Sequence, residues 1–308
     1  MIIPILENYI NVANKEERSY ELHFDYPMTE CASFRVGGVA KAVVFPLSVA
    51  SFLKLLTFLS GRNINFLVLG NGTNVIPSDN GFDGVLIVTK KISEFCIEGN
   101  KIYAGCGVSL SKLSIVAADV ALSGMENLYG IPATIGGAVY MNAGAYGTQI
   151  SDILLSAECY DLERGELVVY TNDEMNMSYR HSRCRDEKLV LLSATFQLSF
   201  GNEEEIKDRM KEVMSKRKSA QPLEYPNAGS IFKRPKDNFA GKLIEDAGLK
   251  GTCVGGAEVS VKHAGFIINK GGATSSDIAS LIDIVKARVF ETSGVMLECE
   301  VEFLKETE

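Results

Sequence analysis

The stretch that most constrains this chain runs from Gly130 to Gly147. It holds five glycines in eighteen residues and carries no charged side chain. Glycine lacks a Cβ and tolerates positive φ, so a backbone rich in glycine can approach another surface closely. Because glycine loses the most conformational entropy on folding, such a segment needs a compensating contact. The polar residues among the glycines, such as Thr134 and Tyr146, favour a ligand cradle over a simple packing junction.

A second glycine-rich turn, Gly70–Asn74, directly follows the apolar run Ile64–Leu69. Neither turn completes the dinucleotide-binding pattern G-x-G-x-x-G, and the chain has no P-loop motif G-x-x-x-x-G-K-[ST]. Backbone N–H groups in turns of this kind form concavities that bind anions. The residues alone therefore predict that the chain binds a phosphate-bearing ligand.

Composition excludes several classes of function. The net charge of −8 disfavours binding to nucleic acid. No apolar run is long enough to cross a bilayer, and the N-terminus has no signal-peptide pattern, so we expect no membrane insertion. Seven cysteines without a C-x-x-C pair indicate the reducing cytoplasm, and three scattered histidines predict no metal site.

The hydrophobic periodicity predicts mixed helices and strands. Expected helices are a short N-terminal one around Ile5–Val12, one after an N-cap at Ser48, and further ones at Ser109–Ser123, after Gly201, and at 276–292 with Ser275 or Ser276 as cap. Expected strands are Ile64–Leu69, Val85–Val88, 101–104, the hairpin 153–161 with 167–171, Leu189–Phe200, and Val295–Leu304. The last strand alternates apolar and acidic residues, which predicts one buried face and one solvated face.

Seven motifs in a fixed order give the chain a specific resemblance to the UDP-N-acetylenolpyruvoylglucosamine reductases. They are Leu69–Asn74, the Gly130–Gly147 segment, Ser178–Arg180, Asn227–Lys233, Ala240–Gly248, His263–Asn269 and Leu297–Val301, and a related Ser33–Gly38 motif begins the matching region. The resemblance covers all but the first thirty or so residues. It indicates the shorter, type II branch, which lacks a substrate-closing insertion.

This resemblance implies an α+β fold. It consists of a two-subdomain FAD-binding module of the PCMH/VAO type, followed by a smaller α+β substrate-binding domain. The corresponding domains here would be an N-terminal extension at 1–30, the module at 31–200 and the reductase substrate domain at 201–308. The subdomains of the module would cover about 31–90 and 91–200.

The implied activity is reduction of the enolpyruvyl group of UDP-N-acetylglucosamine enolpyruvate, which gives UDP-N-acetylmuramate for peptidoglycan. FAD would be the non-covalent cofactor and NADPH the co-substrate. The implied cofactor residues lie in the two turns: Gly70, Asn71, Gly72, Thr73, Asn74, Ile135, Gly136, Gly137 and Ala138. Their N–H groups would suit a diphosphate, and their small side chains would suit a flat ring. The oligomeric state is open, with a monomer favoured.

Three residues match the catalytic residues of the family. Arg180 would bind the substrate carboxylate, Ser230 would donate a proton, and Glu300 would act together with Arg180 on the intermediate. Adding a hydride drives negative charge onto the carboxylate, so this chemistry needs fixed positive charge and a proton donor. Substrate-binding candidates are Lys233 for the diphosphate and Tyr179 and Asn142 for the pocket walls.

Two alternatives stay open on the sequence. One is another FAD-dependent oxidase or dehydrogenase of the same fold, with flavin attached covalently through Cys106 in Gly-Cys-Gly. The other is a flavin-binding module without catalytic activity. Each catalytic candidate also has an ordinary structural interpretation: Ser230 as a turn residue, Arg180 as one half of a surface ion pair, and Glu300 as a solvated carboxylate.

Overall fold

A computed structural model describes residues 2–304. The α-helices are α1 (Ile2–Glu16), α2 (Val49–Ser60), α3 (Leu110–Asp119), α4 (Ile135–Tyr140), α5 (Glu203–Ala220), α6 (Ala240–Asp246) and α7 (Ser275–Ser293). Short 3-10 helices lie at Met28–Glu30, Thr89–Lys91, Glu126–Leu128, Ile150–Asp152 and Arg183–Arg185.

The strands fall into an N-terminal and a C-terminal series. The first series is β1 (Tyr20–Pro27), β2 (Val39–Pro46), β3 (Phe66–Leu69), β4 (Val75–Pro77), β5 (Phe82–Val88), β6 (Phe95–Glu98), β7 (Lys101–Gly105), β8 (Leu122–Ser123), β9 (Gly144–Ala145) and β10 (Thr148–Gln149). The second is β11 (Leu154–Asp161), β12 (Glu166–Thr171), β13 (Leu189–Gln197), β14 (Ser199–Phe200), β15 (Cys253–Val254), β16 (Ala257–Val259), β17 (Ile267–Asn269) and β18 (Glu302–Leu304).

Side-chain caps set the beginnings of the helices. The Ser48 hydroxyl accepts the N–H of Ser51 at 3.0 Å and thereby caps α2, as the sequence predicts. Helix α7 is capped by Thr274, whose hydroxyl accepts the N–H of Asp277 at 3.0 Å, so the expected cap at Ser275 or Ser276 is wrong. A threonine side chain satisfies an orphan N–H as well as serine does.

The described chain forms two compact units, each assembled from separate stretches. The first unit takes the chain up to Phe24 together with Ala42–Asn71 and Gly84–Lys216, and the second takes Asp25–Lys41, Gly72–Asp83 and the chain from Arg217 onward. The predicted domain bounds at 1 and 308 lie outside the described residues. The functional division at 30 and 200 stays a prediction.

The first unit contains an antiparallel five-stranded sheet in the order β12-β11-β13-β7-β6. Helices α2 and α4 contact its central strand β13. Strands β3 and β5 pair in parallel within a second sheet, ordered β1-β2-β5-β3. The N-terminal helix predicted around Ile5–Val12 is confirmed as α1, which buries Leu6 and Ile10 in the core of this unit.

The second unit is built on the three-stranded sheet β15-β16-β17 and on helices α6 and α7. Strand β18 pairs in parallel with β4, with Phe303 opposite Ile76. Its separate apolar core includes Phe34, Ile231 and Leu281. The distribution of helices and strands in both units agrees with an α+β protein.

Two predicted elements are shorter than expected. Helix α3 ends at Asp119 because Ala121 takes φ +54 and Leu122–Ser123 then pairs with β14. The strand predicted over Val295–Leu304 is regular only at Glu302–Leu304, and Phe303 is exposed rather than buried. Apolar alternation marks extended backbone here, but the segment before β18 makes single bridges instead of a continuous ladder.

Candidate functional site

The two glycine-rich segments touch each other within the first unit. A Cβ added at Gly70 would lie 2.1 Å from the Thr134 hydroxyl oxygen, and the Asn71 side-chain amide donates to the Pro132 carbonyl at 2.9 Å. Thr134 in turn caps α4 by accepting the N–H of Gly137. Gly70 is therefore required by a close approach, as the glycine content predicts.

The turn after Gly70 presents N–H groups that the protein itself does not use. No residue within 2–304 accepts a hydrogen bond from the amides of Asn71, Gly72 or Thr73. Gly72 is buried at φ +62, and a Cβ there would lie 1.9 Å from the Cys31 carbonyl oxygen. A buried N–H without an acceptor is costly, so this turn fits a ligand that brings acceptor oxygens, such as a phosphate.

The start of α4 behaves differently from that turn. Its N–H groups donate to protein oxygens at 2.7–2.8 Å: Ile135 to Val108, Gly136 to Cys106, and Ala138 to Thr134. The expectation that these amides donate to a diphosphate is therefore wrong. A Cβ at Gly136 would lie 3.2 Å from the Cys106 carbonyl oxygen, so tight packing against this strand end explains the glycine. The side chains of Ile135 and Ala138 are fully buried, and the use of this segment in cofactor binding stays a prediction.

Arg180 sits in a tight turn closed by two reciprocal backbone bonds between Ser178 and His181, each 3.1 Å long. It has φ +57 at the third position of this four-residue turn, where glycine is favoured. The left-handed conformation costs a non-glycine residue about 1–2 kcal/mol. The guanidinium lies 4.9 Å from the centre of the exposed Tyr179 ring and donates to the Gly144 carbonyl at 3.3 Å. The turn thus fixes the backbone from which the guanidinium extends, and the catalytic role of Arg180 stays a prediction.

Asn142 lies beneath this turn and is fully buried at 0% exposure. Its side-chain amide donates to the Ser178 carbonyl at 2.9 Å, and its side-chain oxygen accepts the N–H of Ser151 at 2.9 Å. Asn142 thus supports the segment that carries Tyr179 and Arg180. Tyr179 is exposed whereas Asn142 is fully buried, and their use as pocket walls stays a prediction.

Ser230 and Glu300 lie on neighbouring segments of the second unit. The N–H of Glu300 donates to the Ile231 carbonyl at 2.8 Å, and the N–H of Lys233 donates to the Glu298 carbonyl at 2.9 Å. These bonds align 230–233 antiparallel to 298–300, with Phe232 opposite Cys299 and Glu300 opposite Ile231. The segments that carry Ser230 and Glu300 are therefore neighbours through their backbones, which sequence separation alone could not show.

Local contacts fix both of these residues. Gly229, at φ +78, donates its N–H to the Asn227 side chain at 2.9 Å, and this turn delivers Ser230. The Ser230 hydroxyl donates to the Phe232 carbonyl at 3.1 Å, a bond it would have to give up to donate to a ligand. The Asn74 side-chain amide donates to the Glu300 carbonyl at 3.1 Å, which ties the end of the first glycine-rich turn to this segment.

Lys233 forms an ion pair with Glu298. Its side chain is 30% exposed and that of Glu298 is 71% exposed, so solvent screens the pair and its contribution to stability is small. An anionic ligand could therefore compete with Glu298 for the Lys233 ammonium group.

Several supporting residues were not predicted as such from the sequence. Asn227 and Asn142 act through side-chain amide groups that hold neighbouring backbone, and the Asn-Ala-Gly sequence that both share was the available signal. His263 accepts the N–H of Gly265 at its Nδ1 atom at 3.1 Å, and burial lowers its pKa below the usual 6.5.

Other kinds of site find no support in the described chain. Cys106 is buried, and burial raises the pKa of its thiol to about 12, which makes it a poor nucleophile. Among residues 2–304, no cluster of three or more histidine, cysteine or acidic side chains could hold a metal ion. No helix within that range has the length and apolar character to cross a membrane.

Comparison with known proteins identifies the family. Residues 40–171 match the FAD binding domain, and residues 221–304 match the C-terminal domain of UDP-N-acetylenolpyruvoylglucosamine reductase. A reductase of that name from Caldicellulosiruptor bescii is 48% identical over 286 residues, which cover 92% of this chain and 91% of the relative. This chain belongs to the UDP-N-acetylenolpyruvoylglucosamine reductase family. The resemblance stated from the seven motifs is confirmed.

Further relatives agree with this assignment. The reductase from Clostridium novyi is 45% identical over 99% of this chain and 97% of its own length. The crystal structure of the reductase from Thermus caldophilus has a TM-score of 0.78 at 32% identity, and the match covers 93% of this chain and 99% of that chain. The predicted fold class and the assignment as an oxidoreductase are therefore confirmed. The chain is an FAD-dependent member of its family.

Proposed function

We propose that this protein reduces the enolpyruvyl group of UDP-N-acetylglucosamine enolpyruvate to the lactyl ether and gives UDP-N-acetylmuramate for peptidoglycan synthesis. NADPH is the proposed source of electrons. The observation that carries the proposal is the antiparallel alignment of 230–233 with 298–300 in a member of this reductase family, because these two segments carry Ser230 and Glu300. Relatives that match nearly the whole chain bear the name of this activity.

The chain offers a suitable site for the FAD diphosphate. The turn at Asn71–Thr73 presents three N–H groups without a protein acceptor, and Gly72 leaves no room for a side chain. When bound in this turn, FAD would supply hydride-transfer chemistry between NADPH and the enolpyruvyl substrate. Burial of the Cys106 thiol supports a non-covalent cofactor. Within Ile135–Ala138, Gly136 and Gly137 would let the cofactor lie against the backbone, because they have no side chain.

Arg180 is proposed to bind the substrate carboxylate. Hydride addition at the vinyl carbon shifts electron density onto this carboxylate, and a guanidinium stabilises such charge through paired N–H donors. The left-handed turn fixes the backbone from which the guanidinium extends. Tyr179, against which the guanidinium packs, would restrict its movement and form part of the pocket.

Ser230 is proposed to give a proton to the carbon next to the carboxylate. A hydroxyl is a weak acid at neutral pH, so this step requires a strongly basic carbon and close placement. The Asn227–Gly229 turn supplies the placement. Glu300 would act with Arg180 on the same intermediate, and Lys233 would exchange its partner Glu298 for the substrate diphosphate.

An anaerobic visible spectrum of the purified protein tests the proposal. Oxidised-flavin bands should bleach with one equivalent of NADPH and return only after the enolpyruvyl substrate is added. Bands that bleach and do not return would retain the FAD module but exclude this substrate, in favour of another oxidase or dehydrogenase. A protein that takes up no FAD would exclude the whole proposal. Acid precipitation should release all of the flavin into solution.

The oligomeric state, the location and the domain division are also proposals. We expect a monomer acting in the cytoplasm on small molecules. The functional division into 1–30, 31–200 and 201–308 fits the two matched segments, 40–171 and 221–304, which lie within the second and third parts.

A further inference from the structure

The segment 140–144 holds the loop 178–185 along its length. Four side-chain contacts join them: Asn142 to the Ser178 carbonyl at 2.9 Å, Arg180 to the Gly144 carbonyl at 3.3 Å, Ser182 to the Tyr140 carbonyl at 2.8 Å, and Arg185 to the Met141 sulfur at 2.9 Å. The end of the glycine-rich cradle is therefore also the support of the arginine turn.

The hydrogen-bond pattern fixes the orientation of the Asn142 amide. Its oxygen faces the N–H of Ser151, which can only donate, and its nitrogen faces the Ser178 carbonyl, which can only accept. A flipped amide would place like atoms opposite each other at both ends. At φ +40, Asn142 also occupies a backbone conformation that asparagine tolerates better than most residues.

The Ser178 carbonyl has two donors. It accepts the N–H of His181, which closes the arginine turn, at 3.1 Å, and it accepts the Asn142 amide at 2.9 Å. Both lone pairs of this oxygen are thus used. The same atom closes the turn around Arg180 and attaches that turn to the buried side chain beneath it.

We propose that Asn142 is a positioning residue that sets the location of Arg180 through the Ser178 carbonyl. Its complete burial excludes direct contact with the substrate, so its function is to keep a strained turn from relaxing away from the cradle. This inference rests on the proposed role of Arg180 in binding the substrate carboxylate.

Ser182 provides a matched control. Like Asn142, Ser182 is fully buried. Its hydroxyl joins the loop 178–185 to the segment 140–144 through one hydrogen bond of 2.8 Å, against 2.9 Å for the bond from Asn142 to Ser178. Its bond to Tyr140 lies outside the Ser178–His181 turn. Asn142→Gly keeps the positive φ and removes the amide, and Ser182→Ala removes one buried donor without touching the arginine turn.

The test combines turnover with equilibrium binding. Asn142→Gly should lower kcat/KM for the enolpyruvyl substrate by about 10²-fold, the loss expected when a catalytic group is displaced by about 1 Å. It should weaken binding of UDP-N-acetylmuramate, which carries a carboxylate, by about 10-fold. Binding of UDP-N-acetylglucosamine, which has no carboxylate, should be unchanged, and Ser182→Ala should affect neither ligand.

A double-mutant cycle decides whether Asn142 acts through Arg180. In an Arg180→Ala background, Asn142→Gly should cause no further loss. If it causes its full loss there, the inference is overturned while the role of Arg180 stands. An Arg180→Ala enzyme as active as the parent overturns both. Should Asn142→Gly not fold, Asn142→Asp keeps the acceptor for Ser151 and places an oxygen against the Ser178 carbonyl, so the same loss is expected.

Discussion

Substituting alanine for Gly72 tests the close approach on which the first glycine-rich turn depends. The added Cβ would lie 1.9 Å from the Cys31 carbonyl oxygen and 2.9 Å from the Ala32 Cα, both of which are backbone atoms. Because real Cβ contacts essentially never fall below 3.0 Å, one backbone segment would have to move by about 1 Å.

Gly99 offers a control with almost the same backbone conformation. Its φ is +60, against +62 for Gly72, and no described atom lies within 4 Å of its Cβ position. Alanine at either site costs about 1–2 kcal/mol for the left-handed conformation. At Gly72 the steric overlap adds about 1–3 kcal/mol, the usual cost of overpacking.

Thermal unfolding of Gly72→Ala, Gly99→Ala and the parent measures this difference. At about 2–4 °C per kcal/mol for a domain of this size, Gly72→Ala should unfold roughly 2–12 °C below Gly99→Ala. It should also retain less FAD per chain, because the N–H groups of the turn move with Gly72. Equal unfolding temperatures for the two variants would refute the steric argument.

Three further predictions concern catalysis and stability. Ser230→Ala should leave flavin bleaching by NADPH unchanged and slow reoxidation by the enolpyruvyl substrate about 10²–10⁴-fold in stopped-flow absorbance; reoxidation at the parental rate would remove Ser230 as proton donor. Leu6→Ala in the buried face of α1 should cost about 2–5 kcal/mol in urea unfolding, whereas Ile5→Ala, at a 44% exposed position, should change stability by about 0.5 kcal/mol or less. Burial lowers the pKa of His263, so as the pH falls the unfolded chain binds a proton at this residue before the folded chain does. The free energy of unfolding therefore falls as the pH drops below about 6.5. In His263→Gln this free energy should fall less between pH 7.5 and pH 5.5, and a fall equal to that of the parent would contradict this assignment.

The sequence predicted well what depends on local patterns. The cap at Ser48, the buried face of α1 and the hairpin β11-β12 follow from the spacing of apolar residues and turn residues, and all are present. The C-terminal boundary of α3 and the irregular backbone before β18 depend on long-range pairing partners, which no local pattern specifies.

The candidate site shows the same division. Motifs suggested Arg180, Ser230 and Glu300, and backbone bonding across nearly seventy residues aligns the segment that carries Ser230 with the segment that carries Glu300. The N–H groups at the start of α4 looked available in the sequence, but the Cys106 and Val108 carbonyls accept them. Glycine content signals close approach without showing whether a ligand or the protein itself is approached.

The parallel pairing of β4 with β18 has a consequence for how the chain is made. Val75–Pro77 and Glu302–Leu304 lie more than 200 residues apart in sequence. At a synthesis rate of about 5–20 residues per second, the ribosome finishes β18 roughly 11–45 s after β4. During that interval β4 lacks its partner strand β18, and the second unit can complete its fold only after residue 304 has been synthesised. Expressing residues 217–308 alone would therefore yield a chain without β4.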